Sequence, residues 1–225
     1  MGSRKSGAIE FWRFFFSVGV AIMHFGYYNG FYIAVDFFFL LSGFLTAKTV
    51  ERHPEKGVWS IALSKWMRLW PEYVLAYVLT FVARLIRTPE RISINRVFVA
   101  DAVLELLGLQ IMSPMSTFVN SISWYISAMM VCTPLIVWLY QKYRYTFTHI
   151  IAPYGALAIY AFFWYNWGHI DFAFVWLGTC NGGLLRGLAD LMLGCALYEA
   201  FRILSAKGRL PKRGLSATGF CCSLS

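Results

Sequence analysis

Glu10, Arg13 and His24 stand inside the first apolar stretch of this sequence, and Asp36 stands inside the second. Such groups are costly at membrane depth and usually face a bundle interior or a cavity, so they are the first place to look for chemistry. Arg13 and His24 are eleven positions apart. On a helix that separation is three full turns plus ~20°, which sets both side chains on one face with ~16 Å of rise between them. If the second stretch runs back from about Gly30, Asp36 lies roughly two turns below the outer surface, at a depth similar to that of His24. An imidazole and a carboxylate meeting across a tight hairpin have a chemical use. The carboxylate fixes one tautomer and stabilises the imidazolium, leaving the other nitrogen to take a proton from a hydroxyl. A plainer reading stands beside this one: Glu10 and Arg13 neutralise each other, Arg13 reaches to the headgroups, and His24 with Asp36 is a structural hydrogen bond.

The elements that must position these groups are apolar stretches at about 8–28, 30–49, 66–87, 97–112, 122–140, 147–166 and 184–204, several of them near the ~20 residues that span a hydrocarbon core. The expected fold is all-α, a polytopic transmembrane helix bundle of about six or seven membrane segments. Segment 97–112 is short and carries Asp101 and Glu105 one turn apart, which suits an interfacial or re-entrant helix as well as a span. With the N-terminus inside, as Arg4 and Lys5 favour, the segment 51–68 is cytoplasmic. If 97–112 does not cross, Lys142, Arg144, Arg202, Lys207, Arg209, Lys212 and Arg213 also fall inside and Arg87, Arg91 and Arg96 are the exception; this arrangement is favoured. Residues 1–205 read as one transmembrane domain and 206–225 as a basic tail with Ser and Cys. The aromatic stretch 167–183 reads as a loop dipping into the membrane interface.

Composition agrees. The 225 residues are 59% hydrophobic and 19% aromatic, and their 14% of charged residues falls well below the roughly 25% of soluble domains. The net charge of +9 sits between the apolar runs, as positive-inside bias and attraction to membrane lipid or an anionic substrate require. A nucleic-acid stripe would be interleaved with polar residues instead. Cys132, Cys180, Cys195, Cys221 and Cys222 form neither a repeated C-x-x-C nor an even disulfide framework. His53, His149 and His169 read as loop or interfacial residues, so no metal site follows. Arg186 and Asp190, four apart, have the spacing of an internal ion pair. No H-E-x-x-H, G-x-S-x-G or Walker loop is present, which argues against zincin, hydrolase and ATPase chemistry.

The run Ile9-Glu10-Phe11-Trp12-Arg13, then His24, then Ala34-Val35-Asp36-Phe37-Phe38-Phe39-Leu40-Leu41-Ser42-Gly43-Phe44 resembles the N-terminal signature of the acyltransferase-3 family of integral-membrane O-acyltransferases. Lys65-Trp66-Met67-Arg68-Leu69-Trp70-Pro71-Glu72-Tyr73 is similar to that family's cytoplasmic Arg-x-x-Arg followed by Pro and Tyr, with Lys in the first position. The charge survives there, while a planar bidentate fork becomes a point charge. Ser123-Trp124-Tyr125-Ile126-Ser127 and Arg186-Gly187-Leu188 are looser matches. The family commonly has about ten spans, so the chain reads as a truncated or a divergent short member.

The resemblance implies transfer of an acyl group, acetyl foremost, from acyl-CoA to a hydroxyl of a cell-surface carbohydrate or a lipid-linked acceptor, in a bacterial cytoplasmic membrane. Acyl-CoA is then a co-substrate, and no cofactor is implied. His24 would be the general base and Asp36 its orienting partner. Arg13, Lys65 and Arg68 would hold the CoA phosphates. Glu10 would stand beside them, and Trp124 and Ser127 would line a cavity. A transporter or flippase using the buried Arg, His and Asp, and an inactive truncated scaffold, are the rival readings.

Overall fold

The computed structural model describes residues 7–27, 29–88, 95–113, 119–171 and 175–208. The expectations placed on Arg4, Lys5, Arg91 and the tail beyond residue 208 lie outside them. Within the described residues the apolar stretches become seven α-helices: α1 (Gly7–His24), α2 (Ile33–Arg52), α3 (Val58–Arg87), α4 (Arg96–Leu106), α5 (Trp124–Thr146), α6 (Ala152–Trp167) and α7 (Gly182–Ala206). Local signals set several of the ends. The Asn95 side chain accepts from Phe98 N at 2.9 Å to open α4, and that of Asn181 accepts from Gly183 N at 2.8 Å to open α7. Gly168, at φ +70°, closes α6 in the left-handed region that a glycine enters without strain.

The core is built by α2, α5, α6 and α7, with Phe39, Ala128, Ile136, Val137, Phe147 and Leu191 almost completely buried. Its tightest seam joins α2 and α7. A Cβ on Gly43 would strike the Leu191 carbonyl, and one on Gly194 would strike the Leu40 carbonyl. Small residues permit this approach because backbones can then meet without an intervening side chain. By contrast α1 buries only Gly19 and α3 only Ile61, Ala62, Tyr73 and Tyr77, so both turn long apolar faces outward.

Ion pairs fix the helix directions. Arg144, near the end of α5, holds Glu51 at the end of α2 and Glu199 near the end of α7, both at 2.9 Å. Gln141 Nε2 donates to the Lys56 carbonyl at 2.8 Å, so α3 begins where α5 ends and the two run antiparallel. Between them α4 returns along α3, with Phe98 beside Phe81 and the Leu106 carbonyl beside Trp70. At 11 residues α4 is ~16 Å long, about half the hydrocarbon thickness. The segment 97–112 therefore does not carry the chain from one end of the bundle to the other. Lys142, Arg144 and Arg202 then share an end with Arg52 and Lys56, as the favoured arrangement of the basic clusters requires.

Among the described residues three segments are long and apolar enough to cross a membrane: Gly30–Arg52, Val58–Arg87 and Ser121–Trp167. The last holds α5 and α6 with a π turn, Phe147–Ile151, between them. Within the aromatic stretch 167–183 the described residues form a short antiparallel pair, β1 (Trp176–Leu177) with β2 (Cys180–Asn181).

Candidate functional site

Two cavities share α1 as a wall. Successive side chains three and four positions apart fall on one helical face. Glu10, Arg13 and Ser17 accordingly line the first cavity, and Ser17, Val20 and His24 line the second.

The first cavity, of about 550 Å³, lies among α1, α2, α3 and α5, with Lys56 in its lining. Four cations, Arg13, Lys56, Lys65 and Arg68, line it against one carboxylate, Glu10. Glu10 and Arg13 form a half-exposed pair at 3.4 Å, the mutual neutralisation that one turn of separation allows. Lys65 is differently placed. Its Nζ donates to Ser42 Oγ at 2.6 Å and to Thr46 Oγ1 and Thr133 Oγ1 at 3.2 Å each. An ammonium has three donors, so hydroxyls occupy all of them while none cancels its charge. Ser42 Oγ in turn donates to Met129 Sδ at 2.9 Å. Arg68 makes no ion pair among the described residues and is exposed on the cavity wall.

The second cavity, of about 390 Å³, lies at the other end of α1, between His24, Tyr32, Trp124 and Asp171. Ser17, Phe38 and Tyr125 line both cavities, so the two adjoin there. Along α1 the rise from Arg13 to His24 is ~16 Å, the separation read from the sequence.

Asp36 does not join His24. Both of its carboxylate oxygens are engaged by Arg186, Oδ1 from Nε at 2.7 Å and Oδ2 from Nη2 at 2.9 Å. No hydrogen bond links Asp36 to His24 among the described residues. The physical reason is the charge on Arg186, whose side chain is 0% exposed: a buried guanidinium needs an anion, and Asp36 supplies it. Arg186 Nη1 also holds Asp171 Oδ1 at 2.7 Å, and Asp171 is the carboxylate that shares the His24 cavity. The expected Arg186 and Asp190 pair is therefore replaced. Asp190 accepts instead from the Tyr160 hydroxyl, and its second oxygen has no hydrogen-bond partner among the described residues.

Ser127 lines neither cavity. It is buried, and its Oγ accepts from Ile111 N at 3.1 Å, tying the turn after α4 to α5. Trp124 does line the His24 cavity. Behind it, Glu105 accepts from Val119 N at 2.8 Å and Asn120 N at 2.6 Å, which holds the approach to α5. Asp171 and Ser17 escaped the sequence reading, and Phe38 and Tyr125 entered it only as members of the family-like runs, with no place in a cavity. A buried Arg186 in need of an anion was the signal that could have led to Asp36 and Asp171. No metal-ligating cluster of His, Cys, Asp and Glu occurs among the described residues.

The acyltransferase-3 family, described as an acyltransferase domain, matches residues 6–225. No curated protein and no solved structure gives a match. With apolar helices long enough to cross a membrane and a match over nearly its whole length, the chain belongs to the acyltransferase-3 family and is a multi-pass membrane acyltransferase.

Proposed function

We propose that this acyltransferase takes an acetyl group from acetyl-CoA in the Arg13 and Arg68 cavity and passes it to a hydroxyl of a cell-surface carbohydrate or lipid-linked acceptor in the His24 cavity. The observation that carries the reading is the adjoining of a cation-lined cavity and an imidazole-lined cavity along one face of α1. Six or seven membrane segments, with the Arg144 end in the cytoplasm, suit the concentration of basic residues at that end.

In this reading Arg68 and Arg13 take the CoA phosphates by charge-assisted hydrogen bonds. Lys65, with its donors occupied, adds attraction without bonds of its own. The thiol arm lies along α1. His24 takes the proton of the acceptor hydroxyl as its oxygen attacks the thioester carbon, the C–S bond breaks, and the departing thiolate of CoA receives a proton. The transfer is direct, with no acyl-enzyme. Asp171 is the carboxylate nearest this chemistry in the cavity lining, and Asp36 acts at one remove, by holding Arg186.

The test is incubation of the purified chain with radiolabelled acetyl-CoA and an extract of cell-surface polysaccharide. Labelled glycan that forms with the wild type and disappears with His24→Ala supports the reading. Solute movement into liposomes without any acyl donor, and no labelled glycan, would overturn it in favour of transport.

A further inference from the structure

The two cavities meet at three side chains, Ser17 of α1, Phe38 of α2 and Tyr125 of α5. Phe38 and Tyr125 stack on each other, ring centroids 6.3 Å apart and planes 28° from parallel. They are not free to swing aside independently. Phe37 next to Phe38 stacks on Phe16 at 4.4 Å, and Tyr125 is also edge-on to Phe39 at 6.4 Å, a residue almost completely buried. Aromatic rings have two side-chain torsions and lose little entropy when packed, so such a pair makes a stiff wall. On the third side Ser17 offers a small side chain, with its hydroxyl folded back on the Arg13 carbonyl at 2.8 Å.

We propose that the Phe38 and Tyr125 ring pair, closed by Ser17, is the constriction that sets the length of the acyl group, admitting a short acyl chain to His24 and excluding a long one. This rests on the reading of the first cavity as the donor site. A donor held by its phosphates at Arg13 and Arg68 brings its thioester to this contact, and every acyl carbon must pass it to reach the second cavity. A cavity of about 390 Å³ must also receive the acceptor, which leaves little volume for a long chain. Phe38 and Tyr125 are thus specificity-determining residues, whereas Arg13 and Arg68 treat all acyl-CoA donors alike.

The test places an acceptor beyond the constriction. In the full-length chain carrying His24→Cys, the introduced thiol attacks the thioester carbon of acyl-CoA, a new C–S bond forms, the old one breaks and CoA leaves as the thiol. Peptide mass mapping then reports which acyl group reached position 24. Acetyl-CoA and octanoyl-CoA are compared in this background alone, with Phe38→Ala, with Phe38→Leu and with Tyr125→Phe. Binding of labelled CoA verifies that each variant is folded, and Phe38→Leu serves if Phe38→Ala fails that check. The expected result is acetyl but not octanoyl at position 24 in the parent and in Tyr125→Phe, which keeps its ring. In Phe38→Ala the ratio of octanoyl to acetyl rises at least tenfold, and in Phe38→Leu it rises by less. Equal entry of both acyl groups in the parent, or an unchanged ratio in the folded Phe38 variants, overturns the constriction and leaves the donor site standing. CoA binding with no acyl group ever reaching position 24 overturns the reading of the two cavities as well.

Discussion

Arg186 of α7 grips Asp36 of α2 through two bonds, at 2.7 and 2.9 Å, while its remaining terminal nitrogen holds Asp171 at 2.7 Å. A fully buried guanidinium and its paired carboxylate stand or fall together. Breaking a buried pair from one side leaves an uncompensated charge and typically costs about 3–5 kcal/mol, whereas replacing both partners by apolar residues is often neutral. Asp36→Ala leaves Arg186 with the half-exposed Asp171 alone and is therefore expected to lose about 3 kcal/mol, the low end of that range, and Asp36→Leu with Arg186→Met to regain most of it. Unfolding in detergent by heat or denaturant measures both. A direct catalytic role for Asp36 predicts instead that Asp36→Asn is as stable as the wild type but inactive.

The seam of α2 against α7 gives a prediction from sterics alone. A Cβ at Gly43 or Gly194 would run into backbone carbonyl oxygen of the facing helix, and backbone cannot step aside as a flexible side chain can. Overpacking of this kind costs about 1–3 kcal/mol. Gly43→Ala and Gly194→Ala should each show such a loss. Gly57→Ala, where a Cβ meets open space, should be near neutral. Thermal unfolding of the three variants in one detergent makes the comparison.

Much of this was legible in the sequence, for physical reasons that differ from residue to residue. The helices follow the apolar runs, because hydropathy and length are properties of a segment by itself. The shared face of Arg13 and His24 was legible because helical rise and turn are fixed constants. Lys65 and Arg68 were placed on one wall by a spacing of three. What could not be read was which helix faces which. Asp36 has a depth similar to that of His24 by counting, but counting gives no rotation about the helix axis, and Arg186, some 150 positions away, decides where that carboxylate points. Ser127 reads from the sequence as a cavity residue, but its hydroxyl is taken up by the Ile111 amide. Asp171 sits in the stretch between α6 and α7, with no helical period to mark its direction.

The cation-lined cavity separates charge from hydrogen bonding. Arg68 has no hydrogen-bond partner among the described residues, while Lys65 has already given its three donors to Ser42, Thr46 and Thr133. Hydrogen bonds to charged groups are worth about 1.5–3 kcal/mol, and every 1.4 kcal/mol is tenfold in affinity. Arg68→Gln should weaken CoA binding by about tenfold or more. Lys65→Met, which removes a charge but no bond to the phosphates, should weaken it less, and by an amount that shrinks as salt is added. Titration of labelled CoA at low and high ionic strength checks both. Equal losses for the two variants would mean that Lys65 turns from its hydroxyls to the phosphates.

The two ends of α1 should separate kinetically. His24 lies ~16 Å along the helix from Arg13, too far to touch a phosphate held there. His24→Ala is therefore expected to reduce kcat by about 10²–10⁴, the usual span for loss of a general base, with little change in donor KM. Arg13→Gln removes an interaction made before and during transfer alike, so donor KM should rise while kcat changes little. Asp171→Asn keeps the shape of the His24 cavity and one bond to Arg186 but removes the carboxylate charge from the cavity lining. It should lower kcat by less than His24→Ala and leave donor KM alone. Initial rates with acetyl-CoA as the varied substrate give the comparison. A His24→Ala variant that loses donor binding instead of turnover would place the imidazole in the donor site and remove the base from the transfer step.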